Sequence, residues 1–181
     1  QGHSPLRTGV EVGGRNLLGT NYRMNELTGA VALAQSRKID RILAVLREKK
    51  KLFKESIADL PGFRFRTLND PAGECATLLT VIFDSADEAG RVSRKLGTRT
   101  VDDSGWHVYF NMEHFGRYLQ DRGLPFGRGA YPRTDDLLNR SINLSVGVVD
   151  AGLGAGFGIH IDSPEREILE AARKFRDACR S

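Results

Sequence analysis

Cysteine is scarce in this chain, with Cys75 and Cys179 the two among 181 residues and no C-x-x-C pair. A disulfide framework is thereby excluded, and both thiols fit structural roles in a reducing, cytoplasmic setting. The four histidines and two cysteines follow none of the usual zinc spacings, so no metal site is expected. No run of 18 apolar residues exists that would span a bilayer, so no membrane partner is expected. Walker A, G-x-S-x-G and H-E-x-x-H sequences are missing too. The glycine-rich run Gly152 to Gly158 satisfies G-x-G-x-x-G in no register and reads as a mobile or closely packed loop.

What is present is an ordinary globular composition, 40% hydrophobic and 28% charged. The net charge of +4 is interleaved with acids except at Arg47-Glu48-Lys49-Lys50-Lys51, which reads as the solvated face of a helix. No basic strand interleaved with aromatics accompanies it, so no nucleic-acid partner is expected. Gln1 to Ser4 lack the features of a signal peptide and resemble the remnant of a cleavable tag. Residues 5–24, with Gly9, Gly13, Gly14 and Gly19, read as an irregular arm, and residues 25–181 as a long helix leading into an α/β domain.

Asn25 is a plausible helix cap, and Leu27, Val31, Ala34, Ile39, Ile42, Leu46, Phe53, Ile57 and Leu60 recur at the spacing of one helical face. An unbroken helix would be about 50 Å long, so a break is expected near Ser36 to Asp40, with Pro61-Gly62 as the stop. Phe63 to Leu68 and Thr77 to Phe83 have strand composition, and Ser85 caps a helix from Ala86 to Leu96 that ends at Gly97. Thr98 to Val101 reads as a strand and Met112 to Arg122 as a helix. Thr134 reads as the cap of a short helix, Ile142 to Val146 as a half-buried strand, and Ile159 to Ile161 as another. Ser163-Pro164 opens a final helix with acids first and bases last. The fold class is therefore a small α/β (α+β) unit.

Three segments carry a resemblance. Gly19-Thr20-Asn21-Tyr22-Arg23-Met24-Asn25-Glu26-Leu27, continuing through Lys38-Ile39-Asp40, is one. The others are Trp106-His107-Val108-Tyr109 and Pro132-Arg133-Thr134-Asp135-Asp136-Leu137-Leu138. In this order they resemble the DegT/DnrJ/EryC1/StrS sugar aminotransferases, pyridoxal-phosphate enzymes that aminate keto-sugars and keto-cyclitols. No S-x-x-K segment, whose lysine forms the Schiff base in that family, is found here. The resemblance thus implies the C-terminal small domain of a fold-type I enzyme, with no catalytic residue of its own and inactive in transamination when alone.

Asn21 stands just ahead of a helix N-terminus, where its amide and nearby N–H groups suit a phosphate, or simply a loop. The resemblance implies that it reaches the cofactor phosphate across a dimer. Arg23 would fork onto a phosphate or a donor carboxylate, or else serve as a surface arginine. His107 and Tyr109 fall on one side of an extended segment, suited to a hydroxylated ring or to a core strand. The resemblance places them beside the substrate. Asp102-Asp103 and Asp135-Asp136 read as a turn and a capped helix start. Implied partners are a second copy or a lysine-bearing subunit, an amino-acid donor and a keto-sugar. The competing reading is a non-catalytic dimerisation or regulatory protein.

Overall fold

A computed structural model describes residues 24–105, 108–147 and 155–180. By contact the chain divides into Gln1–Ile39 and Asp40–Ser181. In the first unit, helix α1 (Glu26–Ser36) starts at Asn25, whose side chain accepts the Thr28 N–H at 2.7 Å. Glu26 is its one charged residue and none of its side chains is buried; Leu27, Val31 and Leu33 are exposed. The expected break follows at once, with α2 running from Ile39 to Glu55.

Asp40–Ser181 is built on a four-stranded sheet in the order β1 (Phe63–Phe65), β2 (Leu78–Phe83), β3 (Ser141–Ser145), β4 (Ala155–Gly156). The first three strands pair antiparallel, with Val81 opposite both Phe65 and Ile142, and β4 lies parallel to β3. Around it lie α3 (Ala86–Lys95), α4 (Val101–Ser104), α5 (Glu113–Gln120), α6 (Pro132–Asn139) and α7 (Glu165–Arg180). This is the small α/β architecture that the sequence pattern indicates.

The core joins Phe53 and Ile57 to Leu79, Val81 and Phe83 of β2, Ile142 and Leu144 of β3, Val92 of α3, and Ile168 and Phe175 of α7. Alternate residues of β2 face it, as the two-residue period of a strand requires. The Phe53 ring lies 5.3 Å from that of Phe157 and 6.4 Å from that of Phe175. Phe157 thus anchors the end of the glycine-rich run, whose residues 152–154 lie outside the described set. The last carbonyls of α7 are met by Arg91, which donates to Ala178 O at 3.0 Å and Cys179 O at 2.9 Å. Burial pushes the Cys179 thiol up to about 11, so it stays protonated and inert.

Several local expectations are corrected. Thr98 to Val101 is not a strand: the Thr100 hydroxyl accepts the Asp103 N–H at 3.3 Å and starts α4 instead. Helix α6 begins at Pro132, not after Thr134, because proline at the first helical position gives up an N–H that has no partner there anyway. Ile159 to Ile161 is irregular, and β3 is buried on both faces. Ser163 precedes α7, but its hydroxyl accepts the His160 N–H at 3.2 Å. The largest correction concerns the basic run: Lys49 and Lys50 are buried, with Lys49 donating to Ser163 O and Lys50 paired with Glu74.

Arg176 of α7 clamps the turn after α2. It donates to Ser56 O at 2.9 Å and binds both carboxylate oxygens of Asp59. That hydrogen bond holds the Asp59 carboxyl at about 2, below its ordinary 3.8. A depressed folded-state value means that the stabilisation is present above about pH 4 and is lost as pH falls towards 2. Asp59→Asn should therefore flatten the acid limb of an unfolding-midpoint profile between these values while leaving the shape above pH 5 unchanged. An unaltered acid limb would show that the clamp contributes nothing.

Candidate functional site

The chain from α4 to α6 assembles a polar cluster around Tyr109. One turn of α4, capped by Thr100, buries Asp102 at 2% exposure, and Gly105 ends the helix at a φ of +71° where a side chain would strain. Asn111 Nδ2 donates back to Gly105 O at 3.3 Å, tying the following 3-10 turn, Tyr109–Asn111, to the end of α4. Val108 is buried immediately before it and fixes the direction in which Tyr109 leaves the backbone.

The opposite wall is the segment from Phe126 into α6. Phe126 lies against Gly116 of α5, where a Cβ would come within 2.4 Å of its ring, so α5 needs a glycine at this point. Gly127 and Gly129, at φ of +113° and +87°, flank Arg128 in a conformation that L side chains rarely adopt. Arg128 Nη1 donates to Asp102 Oδ2, and its guanidinium sits 4.4 Å from the centre of the Phe110 ring. The Asp102 hydrogen bond, with Asp103 and Asp135 nearby, raises the Arg128 pKa further. Among the described residues Asp102 Oδ1 is buried with no hydrogen-bond partner, an acceptor that a hydroxyl would satisfy.

Tyr109 OH lies 2.8 Å from Asp135 Oδ1 and 3.0 Å from the Gly127 carbonyl, so its proton has two acceptors. The other Asp135 oxygen accepts the Gly129 N–H at 2.7 Å. Burial first, then the Asp135 hydrogen bond, raises the Tyr109 pKa, which keeps the phenol a proton donor at neutral pH. The rings of Phe110 and Tyr131 stand edge-on to Tyr109, each at 5.2 Å. Chemically the cluster offers a phenol, two carboxylates and a guanidinium beside aromatic faces. Hydroxyl groups and the apolar face of a ring suit that set.

Of the residues singled out from the sequence, Tyr109 is in this cluster, on a 3-10 turn rather than a strand. Asn21, Arg23 and His107 lie outside the described residues. Asp102, Arg128 and Asp135 were missed. The paired carboxylates marked two of them, but a turn and a cap were the simpler accounts. The pairs in fact divide: Asp136 takes Arg140 Nη2 at 2.6 Å along its own helix, leaving Asp135 to Tyr109.

Residues 3–149 match the DegT/DnrJ/EryC1/StrS aminotransferase family, well over half of the 181 residues, and the chain belongs to that family. Its function is accordingly related to pyridoxal-phosphate-dependent amino-group transfer, with pyridoxal phosphate the cofactor of the complete enzyme. Among the described residues no helix is long and apolar enough to cross a membrane.

Proposed function

We propose that this chain supplies the cofactor-phosphate contact and part of the substrate wall of a cytoplasmic aminotransferase acting on a keto-sugar or keto-cyclitol. It works as a homodimer, or with a partner that brings the cofactor-holding lysine. The observation that carries the reading is the convergence of Tyr109, Arg128 and Asp135 on one cluster; His107, two residues before Tyr109 in the chain, is assigned to the same substrate wall. Asn21 and Arg23 hold the phosphate. Tyr109 donates to and orients Asp135, whose remaining lone pairs accept ring hydroxyls. Asp102 in turn holds Arg128 against Phe110.

Pyridoxal phosphate, when bound, supplies the electron sink for the carbon that exchanges its amino group. The cluster fits a contact role towards that chemistry and not the covalent one. Lys49 and Lys50 are committed to Ser163 and Glu74, and Lys54 lies 4.9 Å over the Phe65 ring. The exposed apolar residues of α1 favour a second reading, a non-catalytic dimerisation or regulatory subunit derived from the same family.

In the complete enzyme, Tyr109→Phe should raise the keto-sugar KM about tenfold, the worth of one hydrogen bond to a charged group, with cofactor loading unchanged. Asn21→Ala should do the reverse. Equal loss of loading and sugar affinity in Tyr109→Phe would mean a damaged fold and would remove the substrate role. No amino transfer in any reconstituted assembly, with dimerisation intact, would leave the regulatory reading.

A further inference from the structure

A second constellation lies along α2, made of residues that play no part in the Tyr109 cluster. Arg47, Lys50, Lys51 and Lys54 recur at intervals of three and four, so all four cations share one face of the helix. They border a cavity of about 200 Å³ closed by Phe65 at the end of β1, Arg66 and Leu68 just after it, Pro71 and Glu74 of the following loop, and Leu79 and Thr80 of β2. Five cations thus face one carboxylate.

That carboxylate is already taken. Glu74 accepts from the buried Lys50, and its carbonyl accepts Arg47 Nε at 2.9 Å. Lys51 meets Glu55 loosely, at 3.9 Å on the exposed surface. Lys54 is held over the Phe65 ring, and Arg66 has no ion-pair partner among the described residues. Like charges at this spacing repel along a helix, and here three of them line a concave wall with an apolar floor.

We propose that this cavity binds a small phosphate compound carrying at least two negative charges. Lys54 and Arg66 contact the phosphate oxygens from opposite walls, Lys51 stands at the mouth, and Leu79 and Phe65 form the floor. Drug-sized ligands occupy roughly 300–1,000 Å³, so the volume selects something smaller. Condensed inorganic phosphate and a compact phosphate ester share the necessary chemistry. The inference stands independently of the transaminase reading.

The test is titration calorimetry on the full chain at constant ionic strength, with inorganic diphosphate and phenyl phosphate as probes. Saturable binding with a Kd below about 1 mM is expected for at least one. Lys54→Gln and Arg66→Gln, which keep much of the stem and remove the charge, should each weaken it about fivefold. Lys174→Gln, on α7, should change nothing. Tighter diphosphate binding points to a condensed phosphate and tighter phenyl phosphate binding to an ester with an apolar body. No saturation by either probe up to about 10 mM, or equal affinity in the Lys54→Gln/Arg66→Gln double variant with its thermal midpoint intact, overturns the proposal.

Discussion

Phe53→Ala is expected to remove about 3–5 kcal/mol from the stability of the Asp40–Ser181 unit, the loss that follows when a fully buried phenyl ring is cut to a methyl. The ring is inaccessible to solvent and touches aromatic partners from two other parts of the chain, Phe157 after β4 and Phe175 on α7. Backbone elements on three sides cannot collapse fully into the space left behind, so the cavity adds to the lost transfer free energy. A unit of this size should melt roughly 10–20 °C lower. Urea denaturation provides the check: the midpoint should fall with an unchanged slope. Phe53→Leu, which refills most of the volume, should cost less than half as much. If both variants lose the same small amount, the aromatic cluster is not what binds α2 to α7.

That substitution matters for function because α2 has two working faces. Phe53 and Ile57, four residues apart, hold the inner side of the α2 segment against the sheet and α7, and Leu46, seven residues before Phe53, is buried at the same helical spacing. Arg47, Lys51 and Lys54 stand on another side of the same cylinder, and the buried Lys50 lies between the two faces. The apolar spacing was readable because helical periodicity is a property of the chain alone. For the same reason the caps at Asn25 and Ser85 were readable: each rests on a hydrogen bond spanning three residues.

What the sequence hid depends on partners far along the chain. Nothing near Lys49 or Lys50 signals burial; their partners, Ser163 and Glu74, lie 114 and 24 residues away. A basic run is the usual mark of a solvated face, and that prior outweighed the helical spacing that would have turned Lys49 and Lys50 inward. Asp102 and Arg128 are 26 residues apart, as are Tyr109 and Asp135. The Tyr109 cluster exists because three short elements meet, and no local pattern encodes such a meeting. Thr98 to Val101 departs from its strand composition for a different reason. Threonine and valine favour strands, but a threonine hydroxyl also competes for backbone N–H groups, and that local bond won.

Glu74→Ala should cost about 2–4 kcal/mol, because it leaves the buried Lys50 ammonium with no carboxylate while its stem remains locked in the fold. Glu74→Gln keeps an acceptor and should recover part of that. Lys50→Met combined with Glu74→Leu should return close to the parent, since replacing both members of a buried pair by apolar groups removes the desolvation cost together with the attraction. Urea midpoints for the three variants give the answer. A double variant no better than Glu74→Ala would mean that packing, not charge, is what the pair provides. The same set of proteins also probes the cavity from the other direction. Glu74 is the single negative group on a wall of five cations, so Glu74→Ala should bind diphosphate more tightly even as it unfolds more easily. Opposite signs for stability and affinity are what a carboxylate placed to hold Lys50, rather than to meet the ligand, must produce.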